Sequence, residues 1–287
     1  MRIIIVTPKE VSFLYHTIIP IFNGFFSIDF GNMLKTPASY WPFNPQIANS
    51  PSFIFLIIDE QGDKILVDTG FSKDYVFGYP PFSSYQRDIN QELPKALASR
   101  GIIAENINQV ILTHIHWDHT GGIGFFPKAT FYCQAEEFRV LFRLLPNEET
   151  GYCPSHWLPY LERIKLVEGN MEIKPGIKLI LSGGHTAGHQ MVEVNTRLGK
   201  VLLGGDIRFD YSPMWQVPQE NWDVIRQGPG KKMFWSNEVL PIIKDWLESN
   251  SISIESNQTV QPFQKSSDHH QILFSHDSEL LKIKSIP

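Results

Sequence analysis

Thr113-His114-Ile115-His116-Trp117-Asp118-His119-Thr120-Gly121-Gly122 places four metal-ligating side chains within six positions, directly after the apolar run Val110-Ile111-Leu112. Alternate side chains of a strand share a face, so a strand-to-loop junction here aims His114 and His116 at one point. Asp118 and His119 fall where the chain turns, and address a second point close by. Imidazole nitrogen and carboxylate oxygen are side-chain donors that zinc prefers. Three of the ten histidines in the chain sit in these six positions, a density that incidental loop residues do not explain.

Outward from this stretch, other apolar runs end in the same way. Lys64 to Val67 runs into Asp68-Thr69-Gly70, and Ile177 to Leu181 into Ser182-Gly183-Gly184-His185. Lys200 to Leu203 ends in Gly204-Gly205-Asp206, and Gln271 to Phe274 in Ser275-His276-Asp277. Ligand-type residues at several strand ends gathered along one sheet edge are how α/β proteins mount a site on rigid elements.

The remaining pattern predicts strands at Arg2 to Val6 and Val11 to Tyr15, and hairpins joining 53–58 to 64–67 and 191–194 to 200–203. Thr130 to Cys133 reads as a further short strand. Helices are expected over Glu92 to Arg100, stopped by Gly101, and over Ala135 to Leu145, with Phe138, Leu141, Phe142 and Leu145 on one side. A third has its apolar face at Val239, Ile242, Ile243, Trp246 and Leu247. Gly31 to Ser50, Tyr152 to Tyr160 and Arg208 to Lys232 read as loops, the first and last rich in proline and aromatic residues. Strands alternating with helices around a buried sheet predict an α/β layered fold.

The chain has 287 residues, 42% hydrophobic and 19% charged, ordinary for a protein with a substantial core. A chain this long buries roughly 75% of the surface its unfolded form exposes, so no disulfide scaffold is needed. Cys133 and Cys153 read as two buried thiols, not a bridge or a ligand pair. A formal net charge of −5, with no long run of Lys or Arg, speaks against nucleic acid or an anionic membrane as partner. Arg2 to Val6 is read as a first strand and not a signal peptide, and the apolar stretch Val11 to Phe26 is broken by His16, Pro20, Asn23 and Gly24. A cytoplasmic protein acting on a small-molecule substrate is therefore expected.

Taken together, these residues resemble the metallo-β-lactamase-fold hydrolases. His114-x-His116-x-Asp118-His119 is similar to that family's signature, and Gly184-His185-Thr186-x-Gly188-His189 to its second ligand motif. Gly205-Asp206, Ser275-His276-Asp277 and Asp68-Thr69-Gly70 match the others in order, from about residue 53 to 277. The resemblance implies a four-layer αββα sandwich, one hydrolase domain over 1–287 with loop insertions near 31–50 and 208–232. It implies two divalent metal ions, zinc first, with iron, manganese or cobalt as alternatives. His114, His116 and His185 would bind one ion, Asp118, His119 and His276 the other, and Asp206 would bridge them. His189 is left out as structural. Asp118 would also be catalytic, orienting a hydroxide shared by the two ions or shuttling its proton. Asp68 is read either as accepting from a ligand histidine's free N–H or as a strand-end turn residue.

Within the family, the spacing most resembles the N-acyl homoserine lactonases, which implies attack on the carbonyl of a lactone or ester. Those enzymes carry a tyrosine three positions after the bridging aspartate. Here that position is Phe209, which lacks a hydroxyl, and Tyr211 lies two residues on; both are candidate substrate contacts. The aromatic segments Tyr40 to Pro45 and Tyr211 to Trp222 suit an acyl-chain pocket, packing under loops, or a subunit interface such as that of a homodimer. Trp117 is read as a packing residue. The alternatives are a thioesterase of the glyoxalase II kind, a β-lactamase-like amide hydrolase, and a binding protein on the same fold without chemistry. A flavodiiron role would need a carboxylate at His116, and an RNA-processing role an inserted domain and a basic surface.

Overall fold

The computed structural model describes residues 14–29, 46–73, 84–144, 151–183, 185–206 and 271–287. Seven strands form the first sheet: β1 (His16–Asp29), β2 (Gln46–Asp59), β3 (Lys64–Val67), β4 (Ser84–Gln86), β5 (Gln109–Ile111), β6 (Thr130–Gln134) and β7 (Ile164–Val167). Their order is β4-β1-β2-β3-β5-β6-β7, antiparallel from β4 to β3 and parallel from β3 to β7. The second sheet holds β8 (Met171–Lys174), β9 (Ile177–Leu181), β10 (Gln190–Thr196), β11 (Gly199–Leu203) and β12 (Gln271–Leu273), in the order β12-β11-β10-β9-β8. Only the β11–β12 pair in it is parallel.

The alternation of side chains along β2 sorts the core into layers. Phe53, Phe55 and Ile57 join Ile65, Val67 and Ile111 in packing against Leu179, Val192, Val194, Val201, Leu203 and Leu273 of the second sheet. Ile54 and Leu56 point the other way, joining Leu66 and Val110 against Leu93, Leu97, Ile123, Phe126 and Trp157. Strands buried on both faces read as continuous apolar runs, which is why Phe53 to Ile58 shows no polar interruption. The result is the α/β sandwich expected from the sequence. The expected strand Arg2 to Val6 and the helix bearing Val239 to Leu247 lie outside the described residues, as does most of Val11 to Tyr15.

The structure corrects several sequence expectations. The apolar stretch that ends at Phe26 is for most of its length the strand β1. Pro20 is tolerated there because β4 pairs only with Phe25 to Ser27, leaving β1 a single strand partner at Pro20 among the described residues. Gly24, at φ +108°, sits at the register shift between Phe22 and Phe25, a bulge that a side chain would resist. β2 begins at Gln46, inside the segment expected to be loop. β7 and β8 had no counterpart in the sequence reading, because their mixed polar and apolar residues give half-exposed edge-like strands. The helix expected to reach Leu145 ends at Val140, and Phe142 points into solvent, 91% exposed. Cys133 and Cys153 are buried and free. Among the described residues, no helix is long and apolar enough to cross a membrane.

Tyr152 to Tyr160, expected to be a loop, contains the helix Pro154–Trp157 followed by a 3-10 helix Leu158–Arg163. Proline in the first turn of each supplies a preset φ where no N–H is needed. Nδ1 of His156 lies 3.2 Å from the Thr120 hydroxyl, and burial lowers its pKa to about 4. An imidazole depressed in the fold binds more protons when unfolded, so its contribution is present above pH ~6.5 and is lost as pH falls toward 4. Stability is expected to fall by about 3 kcal/mol across that window on account of this side chain alone. Urea unfolding of the protein and of His156→Gln between pH 7 and 4 checks this: parallel pH dependences would overturn it.

Candidate metal centre

The strand directions assemble the site. β9, β11 and β12 run the same way, and Leu203 pairs with Leu273 in register. Asp206 and His276, each three residues beyond that pair, therefore leave the second sheet at one edge, with His185 following β9. Val67 pairs with Ile111 in the parallel β3–β5 ladder, so Asp68 and the stretch after Ile111 leave the first sheet together. The chain then turns into the short helix Trp117–Thr120, which begins right after His116.

Two groups result. Ligand atoms of His114, His116 and His185 lie within 4.8 Å of one another, as do those of Asp118, His119, Asp206 and His276. Asp206 stands between the groups with its oxygens divided. Oδ1 is 2.9 Å from His119 Nε2 and 2.8 Å from His276 Nε2, while Oδ2 is 3.4 Å from His185 Nε2 and 4.0 Å from His114 Nε2. His185 Nε2 and His116 Nδ1 are 3.0 Å apart, and Asp118 Oδ2 lies 3.3 Å from His276 Nε2 and 3.6 Å from His119 Nε2. Two ligands on one tetrahedral zinc at ~2.0–2.1 Å are roughly 3.3 Å apart, so this spacing suits shared cations.

The far nitrogens of these histidines are held. His119 Nδ1 donates to Asp68 Oδ2 at 2.8 Å, and His276 Nδ1 to the Pro51 carbonyl at 2.7 Å. His114 Nδ1 is 3.0 Å from the Thr113 hydroxyl, which in turn donates to Asp68 Oδ2 at 2.9 Å. Such partners set the tautomer and leave Nε2 as the donor. Asp68 also accepts from Thr113 N–H and is the one non-glycine residue of the described chain with positive φ, at 65°. It is thus both a strand-end turn residue and a hydrogen-bond acceptor for His119. His189 belongs to neither group; its Nδ1 lies 2.6 Å from the Ser182 hydroxyl, and its ring packs 5.3 Å from that of His114.

Electrostatics point the same way. Burial, then the neighbouring His119, His116 and His185, push His114 well below the usual imidazole value. Burial would also lower His119, but Asp206, Asp68 and Asp118 outweigh it and hold that imidazole well above its usual value. Burial would raise Asp206, yet His276 and His119 keep it well below the usual carboxylate range; Asp118 is lowered likewise, chiefly by His119. Three carboxylates facing buried imidazoles make a field that cations satisfy. Nε2 of His114, Nε2 of His119 and Oδ1 of Asp206 are buried and have no neighbour aligned for a hydrogen bond, the close approaches of Asp206 to His119 and His276 included, so they suit ligation of bound ions. The residues present fit divalent metals.

An aromatic wall adjoins the second group. The Phe26 ring stands 5.2 Å from that of His276 and 5.1 Å from Trp117, and Phe71 stands 6.3 Å from Trp117. Trp117 is 3% exposed and packs as expected. Phe209 and Tyr211 lie outside the described residues. The sequence reading missed Thr113, Glu137 and the Pro51 carbonyl, none of which carries a motif of its own.

Fold and site together define a metallo-β-lactamase-like sandwich, and sequence comparison agrees: the profile described as the metallo-beta-lactamase superfamily matches residues 48–230. The chain belongs to that superfamily, whose members bind divalent metals, typically two. It is 31% identical over 174 residues to an N-acyl homoserine lactonase of Bacillus thuringiensis, covering 57% of this chain and 66% of that protein. A Bacillus cereus N-acyl homoserine lactonase is 30% identical over 173 residues, with the same coverage. The chain thus spans just under two thirds of the length of these relatives. Among solved structures, an N-acyl homoserine lactone hydrolase with N-hexanoyl-L-homoserine at its catalytic metal centre superposes with a TM-score of 0.62 at 21% identity, over 93% of this chain and 95% of that one. AidC, a dizinc quorum-quenching lactonase, gives a TM-score of 0.53 at 17% identity, over 70% and 74%.

Proposed function

We propose that this chain is a dinuclear metal-dependent hydrolase that opens a carbonyl bond, in the first instance that of a lactone or ester, and that 1–287 forms one domain. The observation that carries this is Asp206, buried between two ligand groups with one oxygen toward each. His114, His116 and His185 would hold one ion, Asp118, His119 and His276 the other, and Asp206 would bridge. Two such ions, when bound, supply a water acidic enough to act near neutral pH and positive charge for the carbonyl oxygen. Zinc is the favoured metal for a histidine-rich set, with iron, manganese and cobalt accepted by the same donors; the dizinc AidC supports that choice.

The residues of the chain divide the remaining work. Asp118 turns Oδ2 toward His119 and His276, which leaves Oδ1 to take the proton of the attacking water and return it to the leaving alkoxide. Asp68 keeps His119 in the tautomer that presents Nε2. Phe26, Phe71 and Trp117, all buried, pack behind His276 and give that side of the site a rigid apolar backing. The lactone assignment rests on the curated relatives, which are named N-acyl homoserine lactonases.

Zinc-loaded and chelated protein assayed on an N-acyl homoserine lactone, a thioester, a β-lactam and a phosphodiester tests the proposal. Two zinc ions per chain and zinc-dependent lactone opening are expected, with His116→Ala losing at least one ion and the hydrolysis. Unchanged turnover by metal-free protein would sink the metal reading, and a preference for thioester or β-lactam would reassign the substrate.

A further inference from the structure

Glu137 is wholly buried in the helix Ala135–Val140, among residues that no motif links to the site. A buried carboxylate is costly unless its oxygens are hydrogen-bonded. Here they accept from three donors. Ile115 N–H reaches Oε2 at 3.1 Å, Gly188 N–H reaches Oε1 at 3.0 Å, and the Thr186 hydroxyl also donates to Oε1. Ile115 lies between His114 and His116, and Thr186 to Gly188 directly follows His185. One carboxylate therefore ties together the two loops that carry the three-histidine group, though they are about seventy residues apart in sequence. A Cβ on Gly188 would stand 2.3 Å from Glu137 N, so the second loop is pressed onto the helix at that point. The other group is anchored elsewhere, His119 on Asp68 and His276 on the Pro51 carbonyl.

On the reading of the site as a dinuclear centre, we propose that Glu137 is a positioning residue that sets the geometry of the His114–His116–His185 half and governs metal affinity there selectively. Its charge matters as well as its shape. Glutamine fits the same space but presents an amide N–H₂ to one of the backbone N–H donors, so at least one tie turns into a clash of donors. The loops then separate by a few tenths of an ångström, enough to loosen three ligands that share one ion.

Zinc titration by calorimetry on four backgrounds tests this. Glu137→Gln alone is expected to bind one zinc as tightly as the wild type and the second roughly 10–100-fold more weakly, the range seen when outer partners of ligands are lost. Added to His185→Ala, in which the three-histidine group is already broken, it changes the remaining zinc affinity little. Added to His276→Ala, it weakens the remaining zinc by that same factor. Hydrolysis by Glu137→Gln recovers as zinc is raised, which a merely structural lesion would not do. Thr186→Val, which removes one of the three donors, gives the same selectivity at smaller size should the glutamine variant fold poorly. Ile177→Val, in the core between the sheets, serves as a control with lowered stability and unaltered zinc affinities. Equal weakening of both zincs, or none, overturns the role of Glu137. A wild type that takes up no zinc overturns the dinuclear reading itself, and this role with it.

Discussion

Asp206→Ala is expected to lower lactone hydrolysis roughly 10³-fold or more, on the scale of losing a preorganised charge at the reacting centre. The reason lies in the two oxygens. Oδ1 faces His119 and His276 and Oδ2 faces His185 and His114, so on the proposed dinuclear reading one truncation takes a ligand from both groups at once. It also removes the largest influence that outweighs burial and raises the affinity of His119 for a proton. Bound zinc should fall from two per chain to one or none, measured on protein dialysed against a weak chelator. Asp206→Asn retains one acceptor oxygen and should fall between wild type and alanine. An alanine variant that keeps two zincs and turns over within tenfold of wild type would show that Asp206 does not bridge.

Gly121→Ala is expected to be strongly destabilising for a single added methyl. Gly121 has φ −62° and ψ −23°, a conformation any residue adopts, so alanine there carries no backbone strain of its own. The obstacle is contact. An added Cβ would stand 2.2 Å from Ser72 N, 2.5 Å from Phe71 C and 2.8 Å from Gly70 O, all backbone atoms that no side-chain rotation can move aside. The Gly121 N–H to Gly70 O bond of 2.8 Å and the Thr69 N–H to His119 O bond of 2.8 Å hold the two segments at this distance. Overpacking of this kind costs about 3 kcal/mol, the upper end of the usual range, and a drop of roughly 5 °C in thermal midpoint follows for a chain of this size. Because Asp68 and His119 sit on the two segments being forced apart, their 2.8 Å hydrogen bond lengthens and metal affinity falls with stability. A thermal midpoint within 1 °C of wild type would overturn this.

Much of the centre was legible along the chain because ligand residues cluster at strand ends, and strand ends are marked locally by apolar runs meeting glycine. His114, His116, Asp118 and His119 announce themselves within one decapeptide, and His185, Asp206 and His276 each follow a readable strand. Elements without strong periodicity escaped: β7 and β8 mix polar and apolar residues, and the helix Pro154–Trp157 has a single turn. The helix from Ala135 was extended too far because Phe142 and Leu145 continue its apolar spacing in sequence, whereas the chain leaves the helix at Val140.

By itself, then, the sequence determined which donor atoms are available, that they stand at the ends of strands, and that the strands are apolar enough to be buried on both faces; these follow from side-chain chemistry and from periods of two and 3.6 residues. Only the tertiary structure decided how the donors divide. The parallel register of Leu203 with Leu273 brings Asp206 beside His276, and the sandwich of two sheets sets Asp206 opposite His119 and His114. The tie of Glu137 to two distant loops, and of Asp68 to His119 across 51 positions, likewise belongs to the fold. Such pairings depend on packing between segments far apart in the chain, where no local pattern carries the information.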